Sequence, residues 1–363
     1  MSKEPYELRQ IHCQGTPTEM GHAHGEQLRE EIHRFVAQRF EALEAYMVER
    51  NQLDIPGFLA VGSECLRIAE VWDPEGTREL VATAEAANVD AVRLYAAGNM
   101  TDLRDVVLLP SAAADEGCSA LVVPPNLSAD ARLYAAQTWD LNPTDLDFVV
   151  AVHRKPARGP ESWSVTCTGC LSLMGMNEAG LTVGTTNIKA KDTRPGVGYL
   201  SLLHRALATS SVAEAKALIQ SAPRAAAHTY WLADADAAVE LECGGRRISE
   251  RRLDSRALTR TNHCMEPGLV ALQGEPTSVS SAKRLEKLDA WLEQGNQNLA
   301  TLRALFSDRS EGLDSINRYL EDGTGTSTNA CMIGVPARRE LWACRGPADR
   351  SSWVRLAFEA ARG

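Results

Sequence analysis

Residue 118 divides this chain into two textures, and the divide limits the folds open to it. Ahead of it, apolar residues recur at helical spacing. Beyond it, short apolar runs alternate with turn residues at a density that calls for layered sheet. At the divide stands Asp115-Glu116-Gly117-Cys118-Ser119, preceded by the small residues Ser111 to Ala114 and followed by the strand-like Ala120 to Val123. Glycine before cysteine at the mouth of a strand leaves a peptide carbonyl open to attack by the neighbouring thiol. Scission there would make Cys118 a chain terminus, one residue carrying a nucleophilic sulfur and a basic amine. Taken alone the pair reads more simply as a buried structural cysteine at a strand start; what lies downstream reverses that.

Thr16-Pro17-Thr18-Glu19 reads as a helix start, with Thr16 capping, Pro17 in the first turn and Glu19 closing a capping box. Leu28, Ile32, Phe35, Val36, Leu43 and Met47 follow at helical spacing and predict a helix running to about Arg50. Gly21 and Gly25 share one face and invite close packing of another element, at a helix cost of ~1 kcal/mol each. Residues 78–87 and 90–97 also read as helices. Strands are predicted at 120–123, 133–139, 148–153, 163–166, 171–174 and 181–186, separated by Pro124-Pro125-Asn126, Asn142-Pro143, Gly159-Pro160 and Asn177 to Gly180. Helices follow at 199–207 and 211–221, then strands at 230–233, 238–241 and 257–262. Helices at 281–293 and 299–306 precede closing strands at 330–335, 340–343 and 353–358. Strands, helices, then strands again imply an α+β fold, with antiparallel sheets layered beneath helices.

The chain has 363 residues, 44% hydrophobic and 24% charged, with a net charge of -10 and scattered basic residues. Those values fit a soluble globular protein and argue against nucleic-acid binding. No apolar run is long enough to span a membrane, and Met1 to Pro5 lacks a signal-peptide core, so a cytoplasmic location is expected. Nine irregularly spaced cysteines argue against a disulfide framework. Cys167 and Cys170 form C-x-x-C, which reads as half a zinc site, a redox pair or, with no second ligand pair following, a structural turn between two strands. His22 and His24, two apart on a helix, point away from each other and make no metal pair. No metal and no cofactor is called for.

Six segments together resemble one family. They are Gly15 to Gly25, Glu116-Gly117-Cys118-Ser119, Gln137-Thr138-Trp139-Asp140, Gly175 to Leu181, Thr261-Asn262-His263-Cys264, and Ser281-Ala282-Lys283-Arg284. In this order the chain resembles the isopenicillin N acyltransferase (acyl-coenzyme A:6-aminopenicillanate acyltransferase) branch of the N-terminal nucleophile hydrolases. Insect beta-alanyl-amine hydrolases share that branch, and bile salt and penicillin V hydrolases are more distant relatives. Thr138 departs from the pattern, which has Asn there. The resemblance spans nearly the whole chain and implies a four-layer αββα sandwich of two antiparallel sheets covered by helices.

It also implies self-cleavage between Gly117 and Cys118. An alpha fragment, 1–117, mostly helical, would stay bound to a beta fragment, 118–363, that carries the core. Cys118 is then the expected nucleophile and Asp140 the group that holds its new ammonium; a turn-capping role for Asp140 is the alternative. Asn262 is the expected oxyanion donor, or else a satisfied turn residue, and a backbone N–H near Asn187 the second donor. Arg284 either organises the site, grips a substrate carboxylate or pairs on the surface with Glu286 or Asp289. Ser281 is read as a helix N-cap or a substrate-binding residue, and Trp139 as substrate-binding. The reaction implied is cysteine amidohydrolysis or acyl transfer on small N-acyl amines, N-acyl amino acids or acyl thioesters, with water or an amine as acceptor. A catalytically silent relative kept for binding or assembly is the alternative, and association into a homo-oligomer is left open.

Overall fold

The computed structural model describes residues 4–52, 54–107 and 117–358. The small-residue run before Gly117, with Asp115 and Glu116, lies outside the described residues. The first part comprises β1 (Arg9–Gly15), α1 (Pro17–Gln27), α2 (Arg29–Glu49), α3 (Ile55–Trp72), α4 (Pro74–Ala87), α5 (Ala91–Gly98) and α6 (Met100–Val106). From residue 117 come β2 (Gly117–Val123), β3 (Tyr134–Leu141), β4 (Val149–Pro156), β5 (Ser162–Cys167), β6 (Met174–Asn177), β7 (Thr182–Asn187), α7 (Tyr199–Leu207) and α8 (Val212–Ser221). The remainder is β8 (His228–Ala233), β9 (Ala238–Cys243), β10 (Ile248–Arg252), β11 (Leu258–Arg260), α9 (Pro267–Val270), α10 (Val279–Leu292), α11 (Leu299–Phe306), β12 (Ser327–Val335), β13 (Glu340–Arg345) and β14 (Val354–Leu356).

Two sheets form. One is eight-stranded, in the order β1-β4-β5-β6-β7-β8-β9-β10; the other is six-stranded, β11-β2-β3-β12-β13-β14. Pairing is antiparallel except at one edge, where β1 runs parallel to β4. The sheets face each other through β2, β3 and β12 on one side and β6 and β7 on the other. Helices α10 and α11 cover the six-stranded sheet and α7 and α8 the eight-stranded one, completing four layers, αββα.

Strand periodicity assigns each residue to a layer. Along β2, Leu121 and Val123 pack with Leu288, Leu292, Leu302 and Phe306 beneath the helices. Cys118, Ala120 and Val122 join the core between the sheets. Along β3, Tyr134 and Ala136 face the helices, whereas Ala135, Trp139 and Leu141 face inward. The Cys118 side chain therefore points between the sheets, and Asp140 projects from the opposite face of its own sheet.

The capping box at Thr16 and Glu19 forms, and Gly21 and Gly25 are where α1 meets α4. A Cβ on Gly21 would lie 2.3 Å from the Glu79 carbonyl oxygen, and one on Gly25 2.4 Å from that of Thr83. The long helix predicted to Arg50 is two helices, because backbone at Leu28 leaves helical geometry (φ -127°, ψ 21°). The strand predicted at 171–174 begins only at Met174. The Thr166 hydroxyl donates to the Leu171 carbonyl at 2.6 Å, and the Cys167–Cys170 turn occupies the chain before it.

The first turn of α7 is capped in trans. Its N-cap residue, Gly198, has no side chain to offer. Instead the Gly198 N–H donates to Tyr95 Oη (3.1 Å) and the Tyr199 N–H to Asp102 Oδ2 (2.9 Å). Both acceptors come from the segment ahead of residue 118. Such caps contribute about 1 kcal/mol each, and the Asp102 charge complements the helix dipole.

Candidate active site

The site is assembled at one end of β2, β3 and β7. Gly117 is registered opposite Asp140, and Cys118 opposite Trp139. The Cys118 N–H donates to Asn262 Oδ1 at 2.7 Å. Asn262 sits in a loop held across both sheets. Arg260, at the end of β11, is fully buried in ion pairs with Glu240 and Glu242 of β9. Glu242 in turn accepts the N–H groups of Met265 and Glu266. With its flanks fixed, Asn262 donates from Nδ2 to the Asn187 carbonyl (3.0 Å), and its own N–H donates to Ser281 Oγ (2.9 Å).

Arg284 is buried rather than on the surface. Its guanidinium donates to the Cys118 carbonyl, to Ser119 Oγ (3.0 Å) and to Asn262 Oδ1 (3.0 Å). The surface pair with Glu286 or Asp289 is not formed; Asp289 takes the Thr259 hydroxyl instead. Ser278, not Ser281, caps α10, since the helix starts two residues earlier than its apolar spacing suggests. Ser281 lies in the first turn, where its Oγ meets Thr261 Oγ1 at 3.1 Å and His263 Nδ1 at 2.8 Å. The structure thus brings together Gly117, Cys118, Trp139, Asp140, Asn187, Asn262 and Arg284, with Ser281 behind Asn262, as the residues singled out in the sequence.

Asp140 is fully buried. Thr328 donates to its Oδ1 at 2.8 Å, while Oδ2 has no hydrogen-bond partner among the described residues. That oxygen lies beside Gly117: a Cβ built there would be 2.9 Å from it. Burial raises the Asp140 carboxyl to about 6, although the charges of Arg318 and Arg284 and the neighbouring hydroxyls of Thr328 and Thr138 oppose the rise. Burial likewise pushes the Cys118 thiol up to about 12, helped by the Asp140 charge and opposed by the backbone N–H of Asp140, by Arg284 and by the backbone N–H of Asn187. In the intact chain the sulfur is a protonated thiol at neutral pH.

Arg318 was not singled out in the sequence. It is fully buried, donates to Thr326 Oγ1 (2.7 Å) and to Ser280 Oγ, and brings its guanidinium carbon to 3.4 Å from the Cβ position of Gly117. Ser280 also accepts from Arg284 Nε (3.3 Å), so one hydroxyl joins the two arginines. The polar run Thr326 to Asn329 marks the mouth of β12 in the sequence but does not single out Arg318.

A cavity of about 30 Å³ opens beside the sulfur, lined by Cys118, Trp139, Leu141, Leu173, Asn187 and Tyr199 among others. That is room for about two waters. A larger cleft, about 810 Å³, lies among α1, α4, α7 and the end of β4 and shares no lining residue with it. Cys167 and Cys170 are buried thiols in a turn. Among the described residues, no group of three or more His, Cys, Asp or Glu side chains is arranged to hold a metal ion. His24 is buried and accepts the Gly169 N–H at 2.9 Å; His22 is exposed beside Glu85. No described helix is long and apolar enough to cross a membrane.

Comparison with known proteins gives this geometry a context. The chain is 22% identical over 326 residues to the 40 kDa form of acyl-coenzyme A:6-aminopenicillanic-acid-acyltransferase of Emericella nidulans, covering 85% of this chain and 88% of that one. It is 24% identical over 216 residues to an uncharacterized protein of Archaeoglobus fulgidus, covering 53% and 35% respectively. Among solved structures, a mutant of conjugated bile acid hydrolase from Clostridium perfringens aligns with a TM-score of 0.44 and 12% identity, over 68% of this chain and 94% of that one. Penicillin V acylase from Agrobacterium tumefaciens aligns at 0.37 and 13%, over 66% and 86%. A family model for acyl-coenzyme A:6-aminopenicillanic acid acyl-transferase matches residues 127–349, a span that includes Asp140, Asn187, Asn262, Arg284 and Arg318. With more than half its length matched, the chain belongs to the acyl-coenzyme A:6-aminopenicillanic acid acyl-transferase family.

Proposed function

We propose that the chain is a self-processing cysteine amidohydrolase or acyltransferase that works through a Cys118 acyl-thioester. The Cys118 sulfur attacks the Gly117 carbonyl, the peptide nitrogen leaves as the amine of Cys118, and water splits the resulting thioester. The products are an alpha fragment ending in the Gly117 carboxylate and a beta fragment beginning at Cys118. The observation that carries this reading is the buried Asp140 Oδ2, which has no hydrogen-bond partner among the described residues and lies beside Gly117. A buried carboxylate oxygen without a donor is costly. An ammonium created at the Gly117–Cys118 peptide would supply the donor.

In the cut enzyme the amine of Cys118 takes the thiol proton, the thiolate attacks the substrate carbonyl, and the proton passes to the departing amine or thiol. Water or an amine then releases the acyl group. Asn262 Nδ2 and the Asn187 N–H are the donors for the oxyanion, each worth roughly 3 kcal/mol in such sites. Arg284 and Arg318 hold the carboxylate and the nucleophile's backbone in place. Substrates are small N-acyl amines, N-acyl amino acids or acyl thioesters, in keeping with the small cavity. Intact-mass measurement tests the reading: wild-type protein should give two fragments meeting at 117/118, and Cys118→Ala one chain. An active wild-type enzyme that stays whole overturns it.

A further inference from the structure

The cavity beside Cys118 has a second polar wall, and none of it belongs to the constellation above. Thr185, on the same face of β7 as Asn187, lines the cavity together with His228. His228 lies on β8, opposite Asn187. Its Nε2 meets Asp102 Oδ1 at 2.6 Å, and its Nδ1 meets Thr185 Oγ1 at 3.3 Å. Tyr199 stacks on the imidazole, ring centres 4.6 Å apart. Asp102 comes from α6, so the wall is built from both sides of the scissile bond.

Counting protons fixes what this wall can offer a ligand. Asp102 accepts from the Tyr199 N–H through Oδ2 and faces His228 through Oδ1, so the ionised carboxylate requires the proton on Nε2. The Thr185 hydroxyl has one proton, and it is donated to the Thr229 carbonyl at 2.9 Å. If His228 is doubly protonated, Nδ1–H donates to Thr185 Oγ1; if it is neutral, Nδ1 is an acceptor and competes with the Thr229 carbonyl for the one Thr185 proton. In both states Thr185 keeps a lone pair for the cavity and has no proton to give. Trp139, Leu141 and Leu173 give the lining its apolar side chains, and Thr101 adds a further hydroxyl outside the constellation above.

We propose that Thr185 is a specificity-determining residue that accepts a hydrogen bond from an O–H or N–H on a small acyl group, with His228 and Asp102 as positioning residues that fix its rotamer. The inference rests on Cys118 being the acylated nucleophile. It makes the preferred donor a short acyl chain with a hydroxyl or amino substituent near the carbonyl rather than a plain alkanoyl chain.

The test uses the processed enzyme with hydroxyacetyl and propionyl thioesters of one small thiol, two acyl groups of nearly equal size that differ in the donor. Wild type should favour hydroxyacetyl by about tenfold in kcat/KM, the order expected for one buried hydrogen bond. Thr185→Val should bring the ratio close to one, Thr185→Ser should keep it, and His228→Phe, which keeps the stack on Tyr199, should lower it. A wild-type ratio of one or below overturns the inference without recourse to any variant, as does a ratio unchanged in Thr185→Val. Mass shifts at Cys118 separate the two readings. Acylation by both donors at equal rates overturns only the specificity claim, whereas no acylation by either removes Cys118 as nucleophile and this inference with it.

Discussion

Gly117 and Asp140 share one register position, and the carboxylate occupies the space a side chain at 117 would need. The close approach requires glycine: a Cβ there meets Asp140 Oδ2 at 2.9 Å and Asp140 Cβ at 3.1 Å. Gly117→Ala must therefore push the carboxylate aside or shift the scissile carbonyl away from the Cys118 sulfur. Self-cleavage of Gly117→Ala should slow at least tenfold, read as the fraction of uncut chain by intact mass over time. Processing at the wild-type rate would separate this contact from the chemistry.

The pH dependence of processing follows from Asp140. Its carboxyl titrates near 6 because burial penalises the charge. The sign is set by the proposed reaction: there the anion receives the forming ammonium, and the anion is the form present above about 6. Cleavage of refolded precursor should therefore rise through pH 6 and fall away below it. Asp140→Asn, uncharged at every pH, should abolish that inflection together with most of the rate. A profile flat from pH 5 to 7 would remove Asp140 from the step.

Arg284 offers a sharper contrast than deletion of a surface charge. Its guanidinium serves the Cys118 carbonyl, Ser119 and Asn262 at once. Arg284→Met strips this donor from the Cys118 carbonyl and Ser119 Oγ and leaves Asn262 Oδ1 with the Cys118 N–H alone; each buried acceptor left unpaired costs about 1–3 kcal/mol, so the variant should lower both the melting temperature and turnover. Arg284→Lys keeps the charge but not the fork. It should recover much of the stability while staying at least tenfold down in kcat, measured on protein that has been processed.

How far the sequence carried this picture depends on whether a residue's role was local. The capping box at Thr16, the paired glycines of α1 and the helix at 299–306 were legible because their causes lie within one or two turns of chain. The placement of Asn262 and Arg284 beside Cys118 was legible through their motifs. Arg318 was not, because its position beside Gly117 comes from β12 returning next to β3, which no local pattern announces. Strand β1 was missed for the same reason: Arg9–Gly15 has little apolar content and becomes a strand by running parallel to β4. The cap supplied to α7 by Tyr95 and Asp102 spans about a hundred residues, so no pattern near Gly198 announces it.

The junction of α1 with α4 sets two known effects against each other. In an isolated helix, Gly21→Ala and Gly25→Ala would each stabilise by ~1 kcal/mol, since alanine loses less backbone freedom. Here the added methyls would stand 2.3 and 2.4 Å from the backbone carbonyls of Glu79 and Thr83, and backbone cannot step aside as a flexible side chain can. Overpacking of this kind costs about 1–3 kcal/mol, so the contact should win. Both variants should melt below wild type, and the double variant further below, because the two glycines meet successive turns of α4. Denaturant unfolding of the singles and the double measures this. A glycine-to-alanine variant that melts above wild type would show that α1 rides farther from α4 than the described packing, and the close approach of these two helices would have to be redrawn.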